Sequence, residues 1–454
     1  MRTGDRKLNG NSFFPTLFVR RAMIEAYSYQ DPYSAYRGLR QAGSIHWDTE
    51  FCGGAWLLPN YEDVLNVLRD TRFSVQRAGR WVNSTAPGAR EELREFKRIF
   101  SRSLLFLDGA HHTRLRKVMN AGFKPTALIR LAPRIQGIVD RLLGQLAMRK
   151  QFDFMQEFAR PLPALVIADM LAIDAMDQPD FIAWSDDIAH FIGSPTPSLD
   201  SAHRAQRSLV ALNEYFRALL PARRLHLGDD LISDLIRAES TGGVITSKEL
   251  LAQCCTLLFA GHETTRNLLG NGLFHLLRHP RLIQSLQKQP ALLPSAIKEL
   301  LRFDSPVQFT GRVLTVDMEM HGKQLRKGDL VIPLIGAANR DPKKFSAPDS
   351  LDITRNEGMH LSFGYGAHVC IGATLTSLEA EIAFTSLMRA FPDMRLATST
   401  PEWGPNPVYR GLITLPVHAG QTTRPKGTHH NALARATQQR PAPSSTTAIF
   451  HIKA

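Results

Sequence analysis

The chain is poor in cysteine, in long apolar runs and in acidic charge. Only four of its 454 residues are cysteine, at positions 52, 254, 255 and 370, and they show no regular spacing. That excludes a disulfide-built secreted scaffold and fits a reducing, cytoplasmic setting. Cys254 and Cys255 are adjacent and read as buried helix positions. No segment has 18 consecutive apolar residues, so no membrane span is expected. The opening residues, MRTGDRKLNGNSFF, hold no apolar core of signal-peptide length. Acidic residues number 42 against 55 basic ones, a formal net charge of +13. Such a balance can serve nucleic acid, but no nucleic-acid motif appears and the charge is spread along the chain. It also suits an acidic protein partner.

What is present is a large apolar fraction, 43%, ample for a sizeable core. Length alone would suggest about three domains. The chain begins with a weakly patterned stretch, 1–29. A short helix then follows Asp31, Pro32 and Tyr33. Residues 44–47 and 55–58 alternate as strands about a Gly53-Gly54 turn, and 61–68 form a helix. Apolar periodicity predicts helices over 127–146, 167–184, 209–220 and 230–236, with a strand near 152–154 and a helix start at Pro161. Loops are expected at 191–201 and at 241–243. The strongest helix covers 247–279, with Ser247 as its N-cap, long enough at about 1.5 Å per residue to cross a whole domain. Strands follow at 313–320 and 325–335. From 418 onward the chain is rich in Thr, Ser, Pro, Gln and Arg, and it reads as a disordered basic tail.

One stretch organises the rest. Residues 363–372 read FGYGAHVCIG, and a helical pattern begins at 371. Cys370 therefore sits where a glycine-rich loop enters a helix N-terminus, whose free N–H groups favour a thiolate. A lone thiolate on such a loop suits an axial haem ligand better than zinc, which needs further ligands. Mid-helix, 260–265 read AGHETT. Gly261 costs about 1 kcal/mol against alanine there. The Thr264 hydroxyl can bond the carbonyl of Ala260 and bend the helix.

The decapeptide resembles the haem-binding loop of the cytochrome P-450 family, with Phe363, Gly364, Gly366, His368, Cys370 and Gly372 in register. The resemblance runs over about 30–417. It implies one mainly α catalytic domain with small β-sheet regions, the cytochrome P-450 fold, a triangular helical prism around a buried haem b. Cys370 becomes the iron ligand, beside His368 and Gly372. His112 and Arg116, four apart in DGAHHTRLRKVM, together with Arg312 become propionate ligands. Ala260 and Gly261 lie against the haem face. Thr264 hydrogen-bonds the oxygen being activated, and Glu263 relays protons. Glu299 and Arg302, three apart in IKELLR, pair with Arg355 as a buried scaffold. Val307, Phe309 and Tyr409 touch substrate, His360 lies near the haem edge, and 79–107 roof the pocket. His262 inherits no role and reads as structural or exposed, while Arg114 and Lys117 are left to meet a redox partner.

The implied activity is a haem-thiolate monooxygenase that inserts one oxygen atom from O2 into a C–H or C=C bond of a mostly apolar small molecule. With no flavin or iron–sulfur segment evident, electrons are expected from a separate ferredoxin- or flavodoxin-type donor served by an NAD(P)H-dependent reductase. The protein is expected to be a cytoplasmic monomer of the soluble bacterial type, without nucleic acid or membrane span. The alternatives are a peroxide-driven or redox-neutral haem-thiolate enzyme, or a non-catalytic haem sensor or carrier.

Overall fold

The computed structural model describes residues 30–77, 93–174, 176–192, 194, 198–239 and 246–420. The expected N-terminal stretch, the roof residues Trp81 and Pro87, the turn at 241–243 and the tail beyond 420 lie outside the described residues. The fold is mainly helical with small sheets.

The strands are β1 (His46–Asp48), β2 (Ala55–Leu58), β3 (Phe73–Ser74), β4 (Gln151–Asp153), β5 (Arg312–Leu314), β6 (Met318–Met320), β7 (Lys323–Leu325), β8 (Leu330–Pro333), β9 (Arg395–Leu396) and β10 (Pro416–His418). Among the described residues they form a five-stranded sheet ordered β1-β2-β8-β5-β3, a three-stranded sheet β4-β10-β9 and a β6-β7 pair. The β1–β2 hairpin turns through Gly53 and Gly54 at φ +74° and +106°, a region costly for other residues. Alternating exposure was expected of β2, yet all four of its residues are buried. Trp56 and Leu58 pack into one apolar cluster and Ala55 and Leu57 into another, so both faces of the strand are covered.

The helical pattern places Asp31 at the N-cap of Pro32–Ala42, where its carboxylate accepts the Tyr33 N–H at 3.1 Å. The expected helix over 167–184 is two helices, Pro161–Met170 and Gln178–Ile192. The chain breaks between them at Ala172, φ +50°. Pro161–Met170 is buried on nearly every side, so its apolar residues merge with those beyond the break and hide the boundary. The expected loop at 191–201 is shorter, because Leu199–Leu225 already begins a helix.

The central helix is Ser247–Arg278, about 48 Å long by its rise. Its N-cap is Thr246, not Ser247: Thr246 Oγ1 accepts the Glu249 N–H and Glu249 Oε2 accepts the Thr246 N–H. This reciprocal box is worth about 1 kcal/mol over an uncapped start. Glycines let neighbours approach closely. A Cβ on Gly261 would lie 2.7 Å from Ile167, one on Gly270 would strike the Met155 sulfur, and one on Gly272 would lie 3.0 Å from Phe384. The helix stays continuous through Gly261, and Thr264 bonds Ala260 O at 3.0 Å as the spacing allows.

Behind this helix, Leu293–Phe303 carries Glu299 and Arg302, exposed by 3% and 2%. Arg302 forks onto both Glu299 oxygens at 2.7 and 2.8 Å, and Arg355 Nε joins Oε1 at 3.1 Å. Arg302 also donates to the carbonyls of Asn339, Pro348 and Ser350. Asn339 in turn accepts the Leu361 N–H and donates to Ser362, at the entrance to the 363–372 loop. Removing one partner strands the other charge without water. Arg302→Met should cost about 3–5 kcal/mol in urea unfolding; a loss below about 1 kcal/mol would mean the cluster is not structural.

Candidate active site

Cys370 sits two residues before the N-cap Gly372 of the helix Ala373–Ala390, so the helix starts later than the expected 371 and runs further. Its N–H bonds Phe363 O at 2.8 Å, closing the loop on itself. Gly364 and Gly366 stand at φ +69° and +74°, and a Cβ on Gly366 would press on the Arg69 backbone at 3.1 Å. The sulfur opens onto an internal cavity of about 370 Å³. Burial raises the thiol pKa above its ordinary value, against the opposing pull of Arg116 and the N–H groups of Gly372 and Ala373. The N–H groups of the helix start pull toward the thiolate, as the sequence suggested, and a metal cation facing the sulfur would add to that pull.

The Ser247–Arg278 helix contributes Ala260, Gly261 and Thr264 to the wall of the same cavity. His112, Arg116, Arg312, His368, Gly372, Val307, Phe309 and Tyr409 also line the cavity. Glu263 does not: it points sideways within the protein and is 7% exposed. Its Oε1 accepts from Arg266 Nη2 at 2.6 Å and Asn267 Nδ2 at 3.1 Å. Burial raises the Glu263 pKa; Arg266 opposes this and Asp186 adds to it.

One rim is cationic. The Arg312 guanidinium is buried and donates to Thr310 Oγ1 and Gly311 O, and burial with nearby Arg77 brings its pKa down to about 9. Arg77, half-buried and lining the same cavity, reaches the same Thr310 hydroxyl at 3.4 Å and lies over the Phe106 ring. The His112 and His368 rings lie 4.0 Å apart, and His112 Nε2 is buried without a partner. Arg116 donates to Val369 O at 2.7 Å and to Asn120. An apolar slot with a thiol at one face, desolvated cations at one edge and an orphaned ring nitrogen beside them fits a flat apolar macrocycle with carboxylate arms.

The family model for Cytochrome P450 matches residues 83–402. The chain is 37% identical over 394 residues to the cytochrome P450 monooxygenase PikC of Streptomyces venezuelae, covering 85% of this chain and 91% of PikC. It is 36% identical over 371 residues to cytochrome P450 CYP107DY1 of Priestia megaterium, covering 80% and 90%. The crystal structure of P450BioI with an acyl carrier protein superposes with TM-score 0.80 at 34% identity, covering 86% of this chain and 99% of that one. The chain belongs to the cytochrome P450 family. It has the P450 fold and is a haem-thiolate monooxygenase whose cofactor is haem b.

Several residues of this P450 site were not legible as such. Arg77 has no motif around it in FSVQRAG. Arg266 and Asn267 stand three and four residues after Glu263, a helical spacing that signals contact. His262, read as structural or exposed, is fully buried and bonds Ser185 Oγ and Arg160 O, both at 3.0 Å. Arg114, expected to be available to a partner, is paired with Glu249 of the capping box. His360 packs on Phe363 and accepts the Ser362 N–H, outside the cavity wall.

Burial lowers the His262 pKa from 6.5 to about 4. A depressed folded-state pKa contributes stability above the unfolded value that is lost as pH falls through the folded one. Thermal midpoints should drop between pH 6.5 and about 4, and His262→Gln should flatten part of that slope. An unchanged slope in the variant would mean other groups carry the acid limb.

Proposed function

We propose that this P450 inserts one oxygen atom of O2 into a C–H or C=C bond of a mostly apolar small molecule. The observation that carries the reading is that Cys370 and the Ala260, Gly261 and Thr264 segment of the central helix line one cavity. Haem b, when bound, supplies the iron at which O2 is reduced and cleaved. Cys370 would hold the iron through its sulfur. His112, Arg116, Arg312 and His368, which line the cavity, would hold the two carboxylate arms, and Ala260 and Gly261 would lie against the macrocycle. The Thr264 hydroxyl, donating to Ala260 O, would supply a proton-bearing group at the cavity wall. Glu263 lies one residue before it, off the cavity wall, and burial raises its pKa in the direction that suits an acid relaying protons toward Thr264.

The substrate end is apolar, with Phe106, Leu257, Phe259, Val307 and Phe309 on its walls and Tyr409 brought in by the β-bridge Val307–Tyr409. Structural neighbours support this class: P450BioI was solved with hexadec-9Z-enoic acid on an acyl carrier protein, and myxobacterial CYP267B1 with myristic acid. Cys52, Cys254 and Cys255 do not gather into a cluster, and the latter two are buried in the central helix. Electrons are assigned to a separate ferredoxin- or flavodoxin-type protein with an NAD(P)H-dependent reductase, as in soluble bacterial relatives. No described helix is long and apolar enough to cross a membrane; we assign the enzyme to the cytoplasm as a monomer, with one catalytic domain over 30–417.

The reduced, CO-bound protein should show the red-shifted Soret band of a thiolate ligand, and Cys370→Ala should abolish it. A band of the histidine-ligated type in the wild type would overturn the reading. Thr264→Ala should divert electrons to peroxide, lowering product per electron consumed by about tenfold or more; unchanged coupling would leave Thr264 a helix-bonding residue only.

A further inference from the structure

The turn that ends in β10 meets the central helix one turn beyond its acidic residue. Val408 and Tyr409 line the cavity, and Arg410 and Gly411 follow at once. Asn271 Nδ2 donates to Arg410 O at 3.0 Å, tying the turn to the helix. Gly411 packs directly on Asn267: a Cβ built on Gly411 would overlap the Asn267 amide. Gly411 has no positive φ, so close approach, and not backbone freedom, is what this position requires. Asn267 is fully buried, and its Nδ2 is the donor at 3.1 Å to Glu263 Oε1. One amide thus touches the substrate-side turn on one side and the acid on the other.

Below the cavity the same turn is anchored hard. Arg410 Nε donates to Asp304 at 2.7 Å, its guanidinium lies 3.6 Å from the Trp403 ring centroid, and its N–H bonds Pro306 O. Asp304 also accepts from Tyr33 Oη at 2.7 Å and pairs with His275 Nε2 at 2.8 Å. With Arg410 held this way, the register of Gly411 against Asn267 has little freedom.

We propose that Asn267 is a positioning residue that sets the Glu263 carboxyl for proton delivery and couples it to the cavity turn at Tyr409 and Gly411. The inference rests on the reading of Glu263 as proton carrier. Arg266 shares Oε1 with Asn267 and supplies charge, while Asn267 supplies direction from a wholly buried, neutral group. The charged and titratable groups facing Glu263 are Arg266 on its own helix, Asp186 on Gln178–Ile192, Arg160 ahead of Pro161–Met170, and Tyr409 on the turn. Loss of the Asn267 donor removes a bond that favours the ionised carboxyl, so the acid should stay protonated to higher pH.

The test uses the full chain with haem and compares Asn267→Leu, Gly411→Ala and Glu263→Gln. The protonated-carboxyl infrared band that disappears in Glu263→Gln is followed against pH. In Asn267→Leu, and in Gly411→Ala if it folds, its midpoint should rise. With surrogate electron donors, product per O2 consumed should fall about tenfold in Asn267→Leu, a fraction of what a general acid contributes, while peroxide-supplied turnover stays within about twofold. An unmoved midpoint in Asn267→Leu, or equal loss on both routes, would overturn the positioning role. If Glu263→Gln itself keeps full coupling, the proton-carrier reading of Glu263 falls first, and the inference with it.

Discussion

The buried ionic cluster of Glu299, Arg302 and Arg355 is the constraint on which the active site hangs. Two of its members lie three apart on one helix, a spacing that at a surface contributes little. Here both are desolvated, and each spare donor of Arg302 is spent on a carbonyl of the 339–350 segment. The order passes through Asn339 to Leu361 and Ser362, and then to the loop that carries Cys370. The cluster sits away from the cavity, yet it determines where the sulfur stands. A charge pair without water is costly to break, which makes it a firm anchor for a loop rich in glycine.

Against that anchored loop the Ser247–Arg278 helix supplies the second wall. Its small residues serve two ends. Gly261 faces the cavity and also admits Ile167, while Gly270 and Gly272 admit Met155 and Phe384. The helix is thereby locked against three neighbours, which fixes where Thr264 stands on the cavity wall. A third part of the wall comes from the chain's last described turn, held by Arg410 and Asp304. The thiol loop and the turn are each fixed by a buried polar network and the hydroxyl by close packing at glycines, which permits a preorganised site between elements far apart in sequence.

The electrostatics divide the same way. Cations and histidine rings collect at one edge of the cavity, apolar side chains fill the rest, and the carboxyl of Glu263 is kept off the wall. Burial raises the Glu263 pKa and lowers those of Arg312, His112 and His368, so each charged form is held at a cost. Carboxylate arms of a bound macrocycle would offset that cost on the cationic edge. At Glu263, Arg266 offsets it and Asp186 adds to it.

Much of this was legible in the sequence, because it is local. The glycine and cysteine pattern at 363–372, the Ala-Gly-x-Glu-Thr run and the Glu-x-x-Arg spacing are short-range signals, and helical periodicity located the long helix to within a residue at each end. Thr246 displaced Ser247 as cap because a capping box counts a partner three residues on, and Glu249 provides it for Thr246. What only the tertiary structure decided were contacts between distant segments. The break at Ala172 was hidden because burial on all sides erases periodicity. Arg77 joins the cationic rim only because β3 pairs with β5, next to Arg312. Asn267 meets Gly411, and Asp304 meets Tyr33, across separations that no local pattern encodes. Sequence alone determined which chemical groups were available, and packing determined which of them face one another.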